Sequence, residues 1–228
     1  MRSISPAALA GSALLAAVAG YVDAIGFILS GGLFVSFMSG NSTQAGVESV
    51  AGHPMTAVVA GVIVLCFVLG VTVHRVAVLT VPRLRGAPLL AGLAVLTALA
   101  SAVATSGHAM VVALGLLALV MGGMNTLFVK QGRAQVAITY TTGTLVSLGL
   151  ALASLFTGGE RTAWARPLLL WASLSLGALT GAVAHHLLGP SSLHLAAVAI
   201  LAAAVMTWLR ARRASRPATA DGSTEPVR

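Results

Sequence analysis

Eight apolar stretches follow one another along this chain with only short polar links between them. A membrane helix needs about 20 mostly apolar residues, and backbone in hydrocarbon must satisfy its own polar groups. That pattern leaves an all-α polytopic membrane protein as the reading. The stretches are A, 7–29; B, 33–51; C, 56–81; D, 88–106; A′, 109–129; B′, 135–157; C′, 167–188; and D′, 191–209.

Composition agrees. Apolar residues make up 57% and charged residues 8%, where a soluble domain carries about 25% charged. Mean hydropathy is +0.97. A water-soluble enzyme, a disordered tail protein and a nucleic-acid reader are all poor fits. The net charge of +8 comes from short basic clusters between apolar runs, which is how cytoplasmic flanks of membrane helices look. The single cysteine, Cys66, allows neither an internal disulfide nor a cysteine metal cluster. Arg2 and Ala17-Val18-Ala19 resemble a signal peptide with its cleavage site, but cleavage would remove a segment that has a partner later in the chain. Residues 211–228 are polar and read as a disordered cytoplasmic tail.

Basic residues decide how many stretches cross. B is weak, holding Gly31, Gly32, Ser36 and Ser39 to Gln44, and B′ carries Thr139 to Thr144. If all eight cross, Arg75, Arg83, Arg85, Lys130 and Arg133 fall outside. If B and B′ enter and leave on one side, Arg2, Arg83, Arg85, Lys130, Arg133, Arg161, Arg166 and the Arg210–Arg216 cluster all lie inside. A seven-span arrangement with B′ crossing puts that last cluster outside. We therefore expect six spans, two re-entrant or broken segments, and both termini in the cytoplasm.

The halves are similar. Gly20-Tyr21-Val22-Asp23 aligns with Gly122-Gly123-Met124-Asn125, and Ser39-Gly40-Asn41 with Thr142-Gly143-Thr144. Cys66, Gly70 and His74 align with Gly177, Gly181 and His185. Three matches, within an order A-B-C-D that recurs, make an internal repeat, with repeat one at about 7–106 and repeat two at about 109–209 of a single transmembrane domain, 1–210. Three spans per half would invert the second half, an arrangement seen in secondary transporters. Eight spans would instead give two parallel four-helix halves.

Asp23 is the one acid inside an expected span. A charge at the bilayer centre costs at least about 2.5 kcal/mol, so a partner, a hydrogen-bond shell, a cation or a proton must offset it. It reads either as a coupling site or as a structural carboxylate bonded to a broken helix; Asn125 at the aligned position favours a shared structural role. Ser39, Gly40 and Asn41 with Thr142, Gly143 and Thr144 are polar at membrane depth, where irregular backbone survives only beside protein or water. They read as a solute or ion pathway, with Gly40 and Gly143 as backbone breaks, or as helix contacts. Cys66, Gly70, Gly177 and Gly181 read as helix packing. Histidine spacing gives no metal motif, and no catalytic signature occurs. No metal, no cofactor and no enzymatic activity is expected.

The segments GYVDAIGF, GGLFVSFMSGN, GGMNTLFVK and ITYTTGTLVSLG together resemble the bacterial YoaK-like membrane proteins, a family catalogued as domain of unknown function 1275. The resemblance covers about residues 13–210 and implies an inner-membrane protein of about six helices; it brings no substrate. Asp23, Gly40, Asn41, Asn125, Thr142 and Gly143 fall on its signature positions. Phe37-Met38-Ser39 and Gly123-Met124-Asn125 depart from a pattern nearer H-M-T and G-L-Q-N, which weakens a metal or proton role at Phe37.

The expected protein is a secondary transporter or channel-like protein for a small solute or ion in the bacterial inner membrane, with Asp23 coupling or orienting and Asn41, Asn125, Thr142 and Thr144 lining a central site where B and B′ meet. Its partners are the lipid bilayer and that solute, with no nucleic acid; whether it forms a homo-oligomer is open. A non-transporting scaffold, stress-related protein or complex subunit is the alternative, and an intramembrane enzyme the third.

Overall fold

The computed structural model describes residues 6–127, 129–130, 133–134 and 140–214. Eight α-helices are found among them: α1 Pro6–Ser30, α2 Met38–Ala51, α3 Pro54–Thr80, α4 Ala87–Ser106, α5 Met110–Asn125, α6 Thr141–Phe156, α7 Ala165–Leu188 and α8 Leu193–Ala214. Short 3-10 turns, Pro82–Leu84 and Gly189–Ser192, precede α4 and α8. One departure from an all-helical chain is a two-residue antiparallel ladder, β1 Val129–Lys130 with β2 Arg133–Ala134. It lies between α5 and α6 and forms no layer.

Four stretches are long and apolar enough to cross a membrane: Leu9–Ser30, Pro54–Thr80, Ala87–Ser106 and Ala165–Arg213. The last holds both α7 and α8, broken by the turn at Gly189–Ser192. α5 and α6, at 16 residues each, are shorter, and α2 has 14. At 1.5 Å per residue, α2 is about 21 Å long against a hydrocarbon core of about 30 Å.

Three expected boundaries move. A′, expected to reach 129, ends as a helix at Asn125. B, expected at 33–51, becomes helical only from Met38, because its first residues are held in a non-helical segment by Asp23 and Asn41. The tail, expected to lose structure from 211, is helical to Ala214; its remainder, 215–228, lies outside the described residues, as do Arg2, Gly132 and 135–139 of B′.

Packing pairs the helices across the halves: α1 on α7, α3 on α5, and α4 on α8. Exchanging the halves turns α1–α7 into α5–α3 and leaves α4–α8 unchanged. The first two contacts are close because glycines admit a neighbouring backbone. A Cβ at Gly20 would collide with the Leu174 carbonyl, at Gly177 with Ala17, at Gly70 with Leu119 and at Gly122 with Phe67. Ile63, Leu93, Leu117, Met121 and Ile200 fill the core between these pairs.

Contacts also give directions. Gly177 meets Ala17 and Gly181 meets Tyr21, so α1 and α7 run the same way. Gly70 meets Leu119 and Gly123 meets His74, so α3 and α5 also run the same way. In α4 and α8, Gly86 lies by Thr207 while Ser101 hydrogen-bonds the Pro190 carbonyl and His194. These two are antiparallel. The starts of α1 and α4 and the ends of α5 and α8 meet at one end of the bundle, around Gly11, Gly86, Leu127 and Arg210. Every described arginine lies toward that end.

Candidate functional site

The first polar cluster begins where α1 stops. Gly31 and Gly32 have φ of 73° and 131°, conformations open chiefly to glycine, and they turn the chain back on itself. The Ser30 hydroxyl accepts the Leu33 N–H at 2.8 Å. Residues 31–37 then run non-helically along α1, with Val35 packed on Gly26. Asp23 lies seven residues before the end of α1, so the chain folds back about 10 Å.

A non-helical segment cannot bond its own backbone, and side chains take over. Asp23 Oδ1 accepts the N–H groups of Val35 at 2.8 Å and Ser36 at 2.9 Å. Asn41, 1% exposed, brackets Phe34: its Oδ1 accepts the Phe34 N–H at 3.0 Å and its Nδ2 donates to the Phe34 carbonyl at 2.5 Å. Leu33 and Val35 point into the core. A carboxylate and a carboxamide thus hold the segment from which α2 starts.

α2 starts with Phe37 as N-cap and no side-chain cap. The Phe37 ring lies over Gly40, where a Cβ would strike it. α6 repeats this: Tyr140 is the N-cap, its ring covers Gly143, and Thr144 returns N–H and hydroxyl bonds to the Tyr140 carbonyl at 3.1 Å each. Gly40 and Gly143 are therefore not the expected backbone breaks. Both sit inside first helical turns, and they are small because an aromatic ring occupies the space. Gly31 and Gly32 make the break in the first half.

The expected single site where B and B′ meet is not formed. α2 packs on α3 and α6 on α7, with no substantial contact between α2 and α6. Asp23 and Asn41 gather around 33–37, whereas Asn125 Nδ2 bonds the Met121 carbonyl of its own helix at 2.9 Å. Ser39 and Thr142 are exposed. The described contacts bring Asp23 and Asn41 together in the first half, and each of α2 and α6 leans on its own following helix.

Cys66, Gly70, Gly177 and Gly181 lie in the α3–α5 and α1–α7 contacts, with Cys66 facing Gly115. Their pairing between halves shifts by one helical turn from the sequence alignment. Leu119 stands three residues before Gly122 as Ala17 stands before Gly20, so Gly70 corresponds to Gly177, not to Gly181. His74 then corresponds to Gly181, and the bulk changes sides: Tyr21 of α1 faces Gly181, while His74 of α3 faces Gly123. His74 Nδ1 lies 2.8 Å from the Gly70 carbonyl. His185 Nδ1 is buried without a partner among the described residues.

Sequence reasoning missed three features. Glu48, within α2, bonds Gln44 at 2.6 Å and His53 at 2.7 Å. Ser101 and His194 meet across α4 and α8 at 2.7 Å. A cavity of about 260 Å³ opens at the arginine-bearing end between α1, α4, α5 and α8. The aromatic-x-x-glycine spacing at Phe37 and Tyr140 was a visible signal for the first turns; for the three missed features no local signal exists. Among the described residues no group of three His, Cys, Asp or Glu side chains is placed to hold a metal.

Comparison with known proteins identifies relatives over most of the chain. Residues 11–206 match the family described as protein of unknown function (DUF1275). A UPF0700 transmembrane protein of Rhizobium meliloti is 34% identical over 176 residues, which is 76% of this chain and 75% of that protein. No solved structure matches.

Proposed function

The chain belongs to the DUF1275 family, and we propose that this multi-pass membrane protein is a secondary transporter or channel-like protein for a small solute or ion. The observation that carries the proposal is the antiparallel pairing of α4 and α8 beside the parallel pairing of α1 and α7. If α6 crossed the bilayer, α4 and α8 would run the same way. If α2 crossed and α6 did not, α1 and α7 would run opposite ways. The combination of directions favours six crossings, α1, α3, α4, α5, α7 and α8, with α2 and α6 re-entrant. Each half then has three crossings and one half-length helix, so the second half is inverted. Inverted repeats with interrupted helices are a transporter arrangement, although fold analogy alone does not assign a function.

Orientation follows from charge. The described arginines gather at the end holding both termini of the bundle, which makes that face cytoplasmic in a bacterial inner membrane. The first turns of α2 and α6 approach mid-depth from opposite faces. In this reading they are two successive stations on a pathway, Ser39, Gly40 and Asn41 in one, Asn125, Thr142, Gly143 and Thr144 in the other. Asp23 is the positioning residue of the first.

A second reading, a non-transporting scaffold or complex subunit, is favoured by one observation: Asp23 is bonded to backbone and does not line the cavity between α1, α4, α5 and α8. Enzymatic activity is not proposed. Ser101 meets His194, but Ser101 is 0% exposed, and a nucleophile closed to substrate cannot attack one.

Liposomes containing the purified protein and an internal pH dye test the proposal. Amino acids, organic acids and amines are added outside in turn, with thermal-shift measurement in parallel. Solute-driven proton movement or solute-dependent stabilisation supports transport. No flux and no stabilisation with any of the three classes moves the assignment to the scaffold.

A further inference from the structure

We propose that the cavity at the arginine-bearing end binds one acyl chain of an anionic phospholipid, with the lipid phosphate on Arg210. The cavity measures about 260 Å³ and its lining comes from α1, α4, α5 and α8. Leu15, Leu90 and Ala203 form a buried floor, and Leu14 and Met206 an exposed rim. Arg210 completes that rim one helical turn beyond Met206.

Apolar lining alone gives no preference, because lipid tails everywhere in the bilayer are as apolar as leucine. Selection has to come from the rim. A guanidinium makes paired hydrogen bonds to phosphate oxygens, and basic pockets between helices at the cytoplasmic face suit anionic headgroups. Among the described residues nothing in the lining competes for the phosphate. The Thr207 hydroxyl is committed to the Ala203 carbonyl at 2.8 Å, and no carboxylate lines the cavity. Arg212 is held elsewhere, stacked over Trp208 at 3.9 Å. The volume is below the roughly 300–1,000 Å³ of pockets for whole small molecules, so it fits the upper part of one chain while the rest of the lipid stays in the leaflet. Gly11 lines the cavity, and a Cβ there would meet nothing within 4 Å. The wall is open where a side chain could have filled it.

The assignment rests on the six-crossing reading only for the leaflet involved, so its test is independent of sidedness and of transport. Delipidated protein in detergent is incubated with equal amounts of phosphatidylglycerol and phosphatidylcholine of the same chains, and retained lipid is counted by native mass spectrometry. The wild type retains phosphatidylglycerol several-fold over phosphatidylcholine, and inorganic phosphate does not displace it. Arg210→Gln loses the preference. Gly11→Leu, which fills the cavity, loses retention of both lipids; Met206→Trp serves if Gly11→Leu fails to fold. Equal retention of the two lipids by wild type overturns the proposal, as does displacement by phosphate. So does unchanged selectivity in Arg210→Gln, or unchanged retention in a folded cavity-filling variant.

Discussion

The Asp23 carboxylate and the Val35 amide are twelve residues apart and joined at 2.8 Å. The same oxygen also takes the Ser36 N–H. This one side chain closes the break between a long helix and a half-length one. The charge is therefore less decisive than the acceptor, and asparagine at the aligned position, Asn125, has the same acceptor.

Asp23→Asn should keep the fold, with a thermal midpoint in detergent close to wild type. Asp23→Ala leaves two amides without their acceptor, and an orphaned buried group costs about 1–3 kcal/mol. Its midpoint should fall clearly. Equal stability of the two variants would mean that the bonds to Val35 and Ser36 contribute nothing.

Helix approach gives a second prediction. Gly20→Ala and Gly177→Ala each drive a Cβ into backbone of the partner helix, and backbone cannot rotate away. Both should unfold well below wild type. Gly92→Ala, where the new Cβ meets nothing within 4 Å, should be neutral or gain up to about 1 kcal/mol, as expected for removing a glycine from a helix. A loss at Gly92 equal to that at Gly20 would contradict the α1–α7 contact.

The ring at each half-helix start gives a third. Gly40→Ala collides with the Phe37 ring, a side chain that can move at a cost. The substitution should destabilise wild type and be nearly neutral in a Phe37→Ala background, a coupling read from a double-mutant cycle. Gly143→Ala with Tyr140→Ala should behave alike. Additive losses would show that the rings do not set the glycines.

Much of this architecture was legible in the sequence, for physical reasons. Long apolar runs bounded by Pro54, Pro88 and Gly107 leave few alternatives, and four of the eight helices fall within about two residues of their expected limits. The polar residues of B were also correctly marked as unusual, since irregular backbone at depth needs partners. What failed was three-dimensional. Gly40 looked like a break because a glycine and an asparagine adjoin, but the ring that demands its smallness sits three residues earlier. The one-turn shift of Gly70 against Gly181 was hidden because small residues recur every fourth position, so two registers score alike. The meeting of B with B′ was inferred from their likeness, and likeness carries no distance.

Helix direction can be read chemically. In a cysteine-free background made by Cys66→Ala, a short thiol crosslinker should join Ser101→Cys to His194→Cys and leave Ser101→Cys with Thr207→Cys unlinked. The opposite pattern would make α4 and α8 parallel and remove the basis for an inverted repeat.

Sidedness tests the six-crossing account most directly. In the same background, single cysteines at Leu84, His108 and Thr162 are probed with a membrane-impermeant thiol reagent in intact cells and in inverted vesicles. The account predicts that Leu84→Cys and Thr162→Cys react only from the cytoplasmic face and His108→Cys only from the outer face. Reaction of Leu84→Cys and Thr162→Cys from opposite faces would make α6 a full crossing, and reaction of both from outside would make α2 one or reverse the orientation; either result contradicts it.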